Sequence, residues 1–313
     1  MNIGFAEKTE AYNLVSPLFP DKLGGKPAWL DFDNLPSDDV LSCPKCKEKM
    51  FFLLQLYSPL DKDSCFHRFL YLFICKNGEC YTKNTKSNPF VVLRCQLKRE
   101  NKFYSYEPPK EVKSLSDLVA SVESGSFPKF HLTQKICSLC GLPGTKYCAN
   151  CKLETYCSRD HQRFAWKLYH SEECSKMSSI QDEVLIQRFI AKNEFTFPEY
   201  RLESEPAENS DDEGSVEEEA DEKLNNVSPF FSGGEDEESE ALEEISRHET
   251  KVDEMLEKLK TLIKHDPDQV IRFQREGKPF WLDETIDVEA VKCSHCKGPV
   301  VFEFQVGSNI ITV

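Results

Sequence analysis

The spacing of cysteine and histidine marks one short stretch of this chain as metal-binding. Between residues 137 and 174, six cysteines and two histidines occur in the order C-x2-C-x7-C-x2-C-x5-C-x3-H-x8-H-x3-C. Eight ligands of these types suit two tetrahedral zinc ions. The alternative, a set of unliganded core cysteines, fits this regular spacing poorly. Since four protein ligands leave no open position for water, the stretch is expected to stabilise a fold and support binding instead of catalysis.

This spacing resembles that of MYND zinc fingers, which are cross-braced, so that alternate ligand pairs share a metal. The resemblance implies two zinc sites, one formed by Cys137, Cys140, Cys157 and His161 and the other by Cys148, Cys151, His170 and Cys174. Further matches lie at the family's aromatic and helical positions: Tyr156, Gln162 and Trp166. His161 stands where many MYND fingers have cysteine, and zinc accepts either. MYND fingers dock short proline-containing peptides, which implies such peptides as partners.

Two further cysteine sets are metal candidates. The first combines a C-x2-C and a C-x4-C pair separated by a β-hairpin, as in a zinc ribbon: Cys43, Cys46, Cys75 and Cys80. Zinc at this site would be a third ion, and the alternative is a mixture of buried thiols with chance spacing. The second set, Cys293 and Cys296, supplies only half a site, either an incomplete one or bare thiols.

Apolar runs near the N-terminus predict β structure. Residues 50–57, 67–75 and 89–97 are rich in Phe, Tyr, Val and Leu, and turn residues separate them, which predicts a meander of three strands. A short helix is expected over residues 114–123 with Ser114 as its cap, and another near residues 180–192.

An internal repeat connects the two ends of the chain. Six of the seven positions starting at Gly25 (GKPAWLD) are identical to those starting at Gly277 (GKPFWLD). In each copy a C-x2-C pair and then a strand-like run follow, FFLLQL in the first and VFEFQV in the second. We therefore predict two copies of one β unit packed into one domain, with the intervening segments inserted between them. The fold class is then mainly β with small α elements, a pseudo-duplicated split β domain with an inserted two-zinc finger and an acidic disordered linker.

Charge is concentrated in one segment. The chain has a formal net charge of −15, and residues 201–250 hold 19 Asp and Glu against 3 Lys and Arg. This composition cannot bury enough apolar surface to fold, so residues 201–240 are predicted to be a disordered acidic linker. Apolar residues then recur along residues 241–266, which predicts an amphipathic helix. Such an acidic chain is a poor nucleic-acid binder, so no direct nucleic-acid partner is expected, and a basic protein is a plausible partner.

These features divide the chain into segments and indicate its compartment. The predicted segments are residues 1–125 (first half of the β domain), 131–176 (finger), 177–200 (connecting helix), 201–240 (linker), 241–266 (helix) and 267–313 (second half of the β domain). No run is long enough to span a bilayer and the N-terminus is not a signal peptide, so neither a membrane partner nor secretion is expected. Cytoplasm and nucleus are the expected locations.

The complete pattern resembles the programmed cell death protein 2 family. The residues that carry the resemblance are the GGKPAWLD turn, the CPKC pair, FHRFLYLFICKNGEC, the finger, and the late GKPFWLD with CSHCKGPVVFEFQV. Members continue past this last strand with more β structure and another cysteine pair, so the C-terminus is expected to be shortened or variant. The resemblance implies a dedicated chaperone for small ribosomal subunit production. Its client would be the eukaryotic counterpart of bacterial small-subunit ribosomal protein five.

Other function classes compete with this interpretation. The main alternative is a MYND adaptor that recruits proline-motif proteins in transcriptional or apoptotic regulation. An enzyme is not expected, because the chain has neither a glycine-rich phosphate loop nor a catalytic triad in sequence.

Overall fold

A computed structural model describes residues 1–81, 88–132, 135–207, 264, 266–279, 292–293 and 296–307. Contacts between residues divide the chain into two compact units, Ala6–Glu203 and a smaller one formed by Met1–Phe5 with Ser204–Val313. Most of the predicted acidic linker and nearly all of the predicted helix over residues 241–266 lie outside the described residues.

Strands dominate the described ranges. They are β1 Asn2–Glu7, β2 Lys22–Leu23, β3 Phe51–Tyr57, β4 His67–Ile74, β5 Phe90–Leu97, β6 Lys146–Tyr147, β7 Thr155–Tyr156, β8 Tyr200–Pro206, β9 Ile271–Phe273 and β10 Phe304–Val306. The helices are α1 Leu115–Glu123, α2 Arg159–Ala165, a π-helix Trp166–His170, α3 Ser171–Glu173 and α4 Asp182–Ile190. Short 3-10 turns join them. The mainly β class is confirmed, and no described helix is long and apolar enough to cross a membrane.

The sheet of the larger unit is antiparallel, with strand order β8-β2-β3-β4-β5. The predicted three-strand meander is confirmed as β3, β4 and β5, with strand ends within one residue of the prediction. A bulge interrupts the β3–β4 ladder between Phe52 and Leu54. β4 lies between two neighbours and is buried along nearly its whole length, which is why its sequence is a continuous apolar run.

Aromatic side chains of β4 form the centre of the core. Phe69, Tyr71 and Phe73 are fully buried. The first GKPAWLD turn packs against this row, because the Trp29 ring lies 5.1 Å from the Tyr71 ring and 5.8 Å from the Phe73 ring. Tyr71 also donates its hydroxyl hydrogen to Ala28 O at 3.2 Å. Trp29 therefore anchors the turn to the core.

Capping explains where α1 begins. Ser114 adopts an extended backbone and its hydroxyl accepts a hydrogen bond from the N–H of Asp117. The predicted helix over residues 114–123, with Ser114 as cap, is confirmed. The helix predicted near residues 180–192 forms as α4.

The boundary predicted for the acidic linker is wrong, because residues 200–206 form β8. This strand pairs with β2, with Arg201 opposite Lys22. Leu202 is the one buried residue of this strand, and the other six are exposed or half-buried. The acidic composition of the surrounding segment conceals so weak an apolar signal.

The smaller unit contains its own antiparallel strands. β9 lies between β1 and β10, with Ile271 opposite both Gly4 and Val306. The strand predicted over residues 301–306 is shorter than expected and covers only Phe304–Val306. The first copy of the repeat lies in the larger unit and the described part of the second copy in the smaller unit.

Candidate metal centres and the mounting of the finger

The C-x2-C turns share one backbone shape. In each, the residue after the second cysteine donates its N–H to the carbonyl of the first cysteine, at 2.8–3.0 Å. That residue has a positive φ in all four turns: Lys47 (64°), Gly141 (72°), Lys152 (58°) and Lys297 (57°). The N–H of each first cysteine donates to a carbonyl five or six residues further along the chain. A turn of this kind holds the two cysteine sulfur atoms of a pair close enough together to bind one metal ion.

Sheet topology assembles the first group of ligands, which we call the β-domain tetrad: Cys43, Cys46, Cys75 and Cys80. Cys43 and Cys46 lie just before β3, whereas Cys75 follows β4 and Cys80 lies in the next 3-10 turn. Because β3 and β4 are antiparallel neighbours, the start of one and the end of the other meet at the same edge. The Sγ atoms of Cys46 and Cys75 are 3.6 Å apart.

The finger (residues 137–174) brings its eight ligands together as two groups, the finger tetrads. One contains Cys137, Cys140, Cys157 and His161, and the other contains Cys148, Cys151, His170 and Cys174. Alternate pairs along the sequence thus share a site, as the cross-braced pattern implies. Within every tetrad of the chain, the four ligand atoms lie within 4.8 Å of one another.

The distances between ligand atoms fit zinc. Tetrahedral geometry with Zn–S bonds of about 2.3 Å and Zn–N bonds of about 2.0–2.1 Å places two sulfurs about 3.8 Å apart and a sulfur about 3.6 Å from a nitrogen. The sulfurs of Cys140 and Cys157 are 3.6 Å apart, and His161 Nδ1 lies 3.4 Å from Cys137 Sγ. In the other finger tetrad, His170 Nε2 lies 3.5 Å from Cys151 Sγ. The donor set, mostly thiolate sulfur with imidazole nitrogen, is the one zinc prefers.

Short elements hold the finger's ligands. The β6–β7 hairpin carries the Cys148–Cys151 turn between its strands, and β7 leads directly to Cys157. Ser158 then caps α2, because its hydroxyl accepts a hydrogen bond from the N–H of the ligand His161 at 3.1 Å. The helix continues as a π-helix up to His170. One nearly continuous helical segment therefore carries a histidine for each of the two finger tetrads.

Side chains from outside the finger hold its first cysteine turn. Lys26 is 7% exposed, and its ammonium donates to Ser138 O at 2.8 Å and to Phe189 O at 2.7 Å. Burial lowers the pKa of Lys26 to about 8, although the nearby thiolates of the finger oppose this shift. The indole N–H of Trp29 donates to Gly141 O at 2.7 Å. Both residues belong to the GKPAWLD turn. This repeated turn therefore contacts the finger as well as the core of the sheet.

A third side chain completes this attachment. Asn193, which follows α4, donates its side-chain N–H to Leu139 O at 3.0 Å. We call Lys26, Trp29 and Asn193 the finger clamp. The backbone of Gly141 also lies close to the GKPAWLD turn. A Cβ atom added to Gly141 would lie 2.7 Å from Lys26 Cβ and 3.1 Å from Pro27 Cδ. The finger is thus bonded into the larger unit through three backbone carbonyls of one turn, those of Ser138, Leu139 and Gly141.

Comparison with known proteins covers most of the chain. Family models match residues 1–111 (programmed cell death protein 2, N-terminal domain), 137–174 (MYND finger) and 253–313 (programmed cell death protein 2, C-terminal putative domain). Mouse programmed cell death protein 2 is 35% identical over 311 residues, which are 98% of this chain and 83% of the relative. The bovine protein is 34% identical over 309 residues, with 97% and 82% covered.

This chain belongs to the programmed cell death protein 2 family.

More distant relatives match parts of this family member. A Schizosaccharomyces pombe protein named probable 20S rRNA accumulation protein 4 is 26% identical over 113 residues, 36% of this chain and 28% of the relative. Mouse programmed cell death protein 2-like is 38% identical over 75 residues, 24% of this chain and 19% of the relative. No solved structure matches. The programmed cell death protein 2 family is not a known enzyme family.

The last cysteine pair of this family member has the turn without a tetrad. Cys293 and Lys297 make the backbone hydrogen bonds of the other turns, and Lys292 forms a bridge with Pro299 as Ser42 does with Lys49. Within the described ranges, however, Cys293 and Cys296 are not joined by a third or fourth ligand. An incomplete site and a pair of bare thiols therefore both stay predictions for Cys293 and Cys296.

The residues that match the aromatic and helical positions of MYND fingers differ in exposure. Tyr156 is fully buried, whereas Trp166 is 46% exposed and Gln162 is half-buried. Trp166 therefore presents an aromatic surface to solvent next to the His170 ligand, with ring centroids 5.7 Å apart. Tyr156 serves the interior of the finger.

Sequence reasoning misses the finger clamp. Lys26 and Asn193 show no signal as single residues, because a lysine after two glycines is usually a solvated side chain. The available signal is the repeat itself, which keeps a lysine and a tryptophan in both copies.

Proposed function

We propose that this chain is a non-enzymatic zinc protein that binds a newly made, basic small-subunit ribosomal protein and keeps it soluble until it is assembled. The proposed client is the eukaryotic counterpart of bacterial small-subunit ribosomal protein five. Two zinc ions would occupy the finger tetrads and a third the β-domain tetrad. Work of this kind places the protein in both cytoplasm and nucleus.

The observation that carries this proposal is the match to the S. pombe relative named probable 20S rRNA accumulation protein 4, a name that points to ribosome production. Charge supports it, because residues 201–250 hold 19 acidic against 3 basic side chains and complement a basic client. The closed tetrads support a binding role, since four protein ligands leave zinc no position for a substrate.

A second candidate is an adaptor for proline-motif peptides. The exposed ring of Trp166 on the finger favours it. Such an adaptor would not act through the finger as a separate module. Three side chains outside residues 137–174, those of the finger clamp, donate hydrogen bonds to backbone carbonyls of the finger's first cysteine turn.

Affinity purification of the tagged full chain from cells, with and without a block of translation, distinguishes the two candidates. Partners are identified by mass spectrometry, and bound zinc is measured on the purified protein. We expect one small-subunit ribosomal protein to dominate and to be lost when translation stops. Trp166→Ala serves as the matched variant, and it should leave this capture unchanged.

The opposite result would replace the proposal. If proline-motif regulators dominate, depend on Trp166 and persist without translation, the adaptor function is correct and the chaperone function is wrong.

A further inference from the structure

A cleft of about 560 Å³ lies in the larger unit between the β-domain tetrad and the finger. The start of β3 and the end of β4 form one wall, α2 forms the other, and residues 195–196 close one side. This volume is in the range of pockets that bind ligands or several side chains of a peptide. Four metal-ligand candidates also line it: Cys75 of the β-domain tetrad and Cys140, Cys157 and His161 of one finger tetrad.

Aromatic rings at one end of the cleft already hold a cation. The ammonium of Lys76 lies 3.9 Å from the centre of the Phe51 ring and 4.7 Å from that of Phe197. The two rings meet edge to face at 5.8 Å. A positive charge over such ring faces is attracted by their π electrons. Lys76 itself is an exposed residue, so its side chain is free to move away.

A second pair of rings lines the finger side of the same cleft. Phe164 of α2 is 43% exposed and lies 4.9 Å from Phe195, which in turn lies 4.9 Å from the His161 ring. In the described part of the chain, no lysine or arginine lies over Phe164 or Phe195. This pair therefore offers an unused face for a cation.

Charged groups around the cleft also favour a cation. Exposed carboxylates of Glu48 and Asp160 border it. Lys49 borders it as well, and its ammonium forms an ion pair with Asp38. The Asp160–Arg163 pair is largely exposed on both sides and screens little of the Asp160 charge.

We propose that this cleft binds an extended, arginine-bearing segment of a basic protein, with a guanidinium over Phe164 and Phe195 and the carboxylates of Glu48 and Asp160 beside it. Arginine suits the site because its planar group stacks on rings and still donates hydrogen bonds to carboxylates. The partner's identity rests on the proposed function, under which the segment belongs to the basic ribosomal protein. Lys76 stands at the edge of the site and competes with the incoming charge.

The test uses the full chain and a fluorescein-labelled peptide of nine arginines, with a peptide of nine glutamates as the negative probe. Fluorescence anisotropy gives the dissociation constant, and zinc content verifies that each variant is folded. We expect Phe164→Ala to weaken binding about three- to thirtyfold. Lys76→Ala should strengthen binding about two- to fivefold, since it frees two rings and removes a like charge. Tyr147→Ala, which removes a still more exposed ring elsewhere on the finger, should change nothing.

The gain expected from Lys76→Ala separates the cleft from the acidic segment of residues 201–250, which also attracts nine arginines. If both Phe164→Ala and Lys76→Ala leave the affinity unchanged, the peptide binds elsewhere and the cleft proposal is overturned.

Capture of the ribosomal protein from cells by the same variants tests the proposed function independently. Equal capture by all variants would overturn the cleft and leave the proposed function intact. Cleft-dependent peptide binding without any captured ribosomal protein would support the cleft and refute the proposed client.

Discussion

Replacing Gly141 by alanine should weaken the attachment of the finger to the GKPAWLD turn without loss of bound zinc. The backbone at Gly141 has φ +72°, which disfavours a side chain by about 1–2 kcal/mol. The new Cβ would also lie 2.7 Å from Lys26 Cβ, closer than van der Waals contact allows. Overpacking of this kind costs about 1–3 kcal/mol. Gly141→Ala should therefore lower the free energy of unfolding by roughly 2–5 kcal/mol in total.

The structure offers a matched control for this substitution. Gly125, just after α1, has φ +76°, but an added Cβ would meet nothing within 4 Å. Gly125→Ala should therefore lower the free energy of unfolding only by the cost of the positive φ, about 1–2 kcal/mol. Zinc content should stay normal in Gly141→Ala, because Lys47 and Lys152 hold the equivalent position of their turns with full side chains.

Urea unfolding of both variants, with zinc measured before and after, gives the comparison. Free energies of unfolding follow from the midpoints as long as the slopes match. Equal losses for Gly141→Ala and Gly125→Ala would show that contact with Lys26 and Pro27 does not hold the finger. Loss of zinc at native conditions would show that the turn itself, and not its attachment, requires glycine.

Other predictions follow from the same contacts. Trp29→Phe keeps the ring but leaves Gly141 O without its donor, so it should cost about 1–3 kcal/mol and speed amide exchange in that turn. Cys80→Ser should lower the zinc content by one ion and leave the finger's zinc in place, which elemental analysis measures; loss of all zinc would contradict independent sites. Burial raises the pKa of Asp21 to about 7, against an opposing hydrogen bond from the Tyr57 N–H. The folded chain then holds that proton more tightly than the unfolded one, so stability falls as the pH rises from about 4 to about 7. Asp21→Asn should raise the melting temperature near pH 8 and do so less toward pH 5, and a gain independent of pH would refute the argument.

The grouping of the candidate metal ligands could be predicted from the sequence, because the spacing of cysteines along the chain restricts how far apart their sulfur atoms can lie. A C-x2-C turn brings two sulfurs together whatever surrounds it, and an apolar run such as residues 67–75 has few alternatives to a buried strand. The clamp could not be predicted in the same way. Lys26 lies 112 residues from Ser138, and Asn193 lies 54 residues from Leu139, so neither contact has a local signature. β8 escaped prediction for a different reason, since its two apolar residues begin the most acidic segment of the chain.

The pairing of β2 with β8 has a consequence for how the chain folds during synthesis. Lys22 and Glu199, which form an ion pair beside that ladder, are 177 residues apart in sequence. Of the two strands beside β2, β8 is therefore made only after the whole finger has been synthesised, and contacts of such long range form slowly. The finger's own contacts span few residues and need only metal, so it is expected to fold first. Zinc supply at the moment of translation would then govern how quickly the sheet closes, and a cell short of zinc would accumulate chains with an open edge at β2.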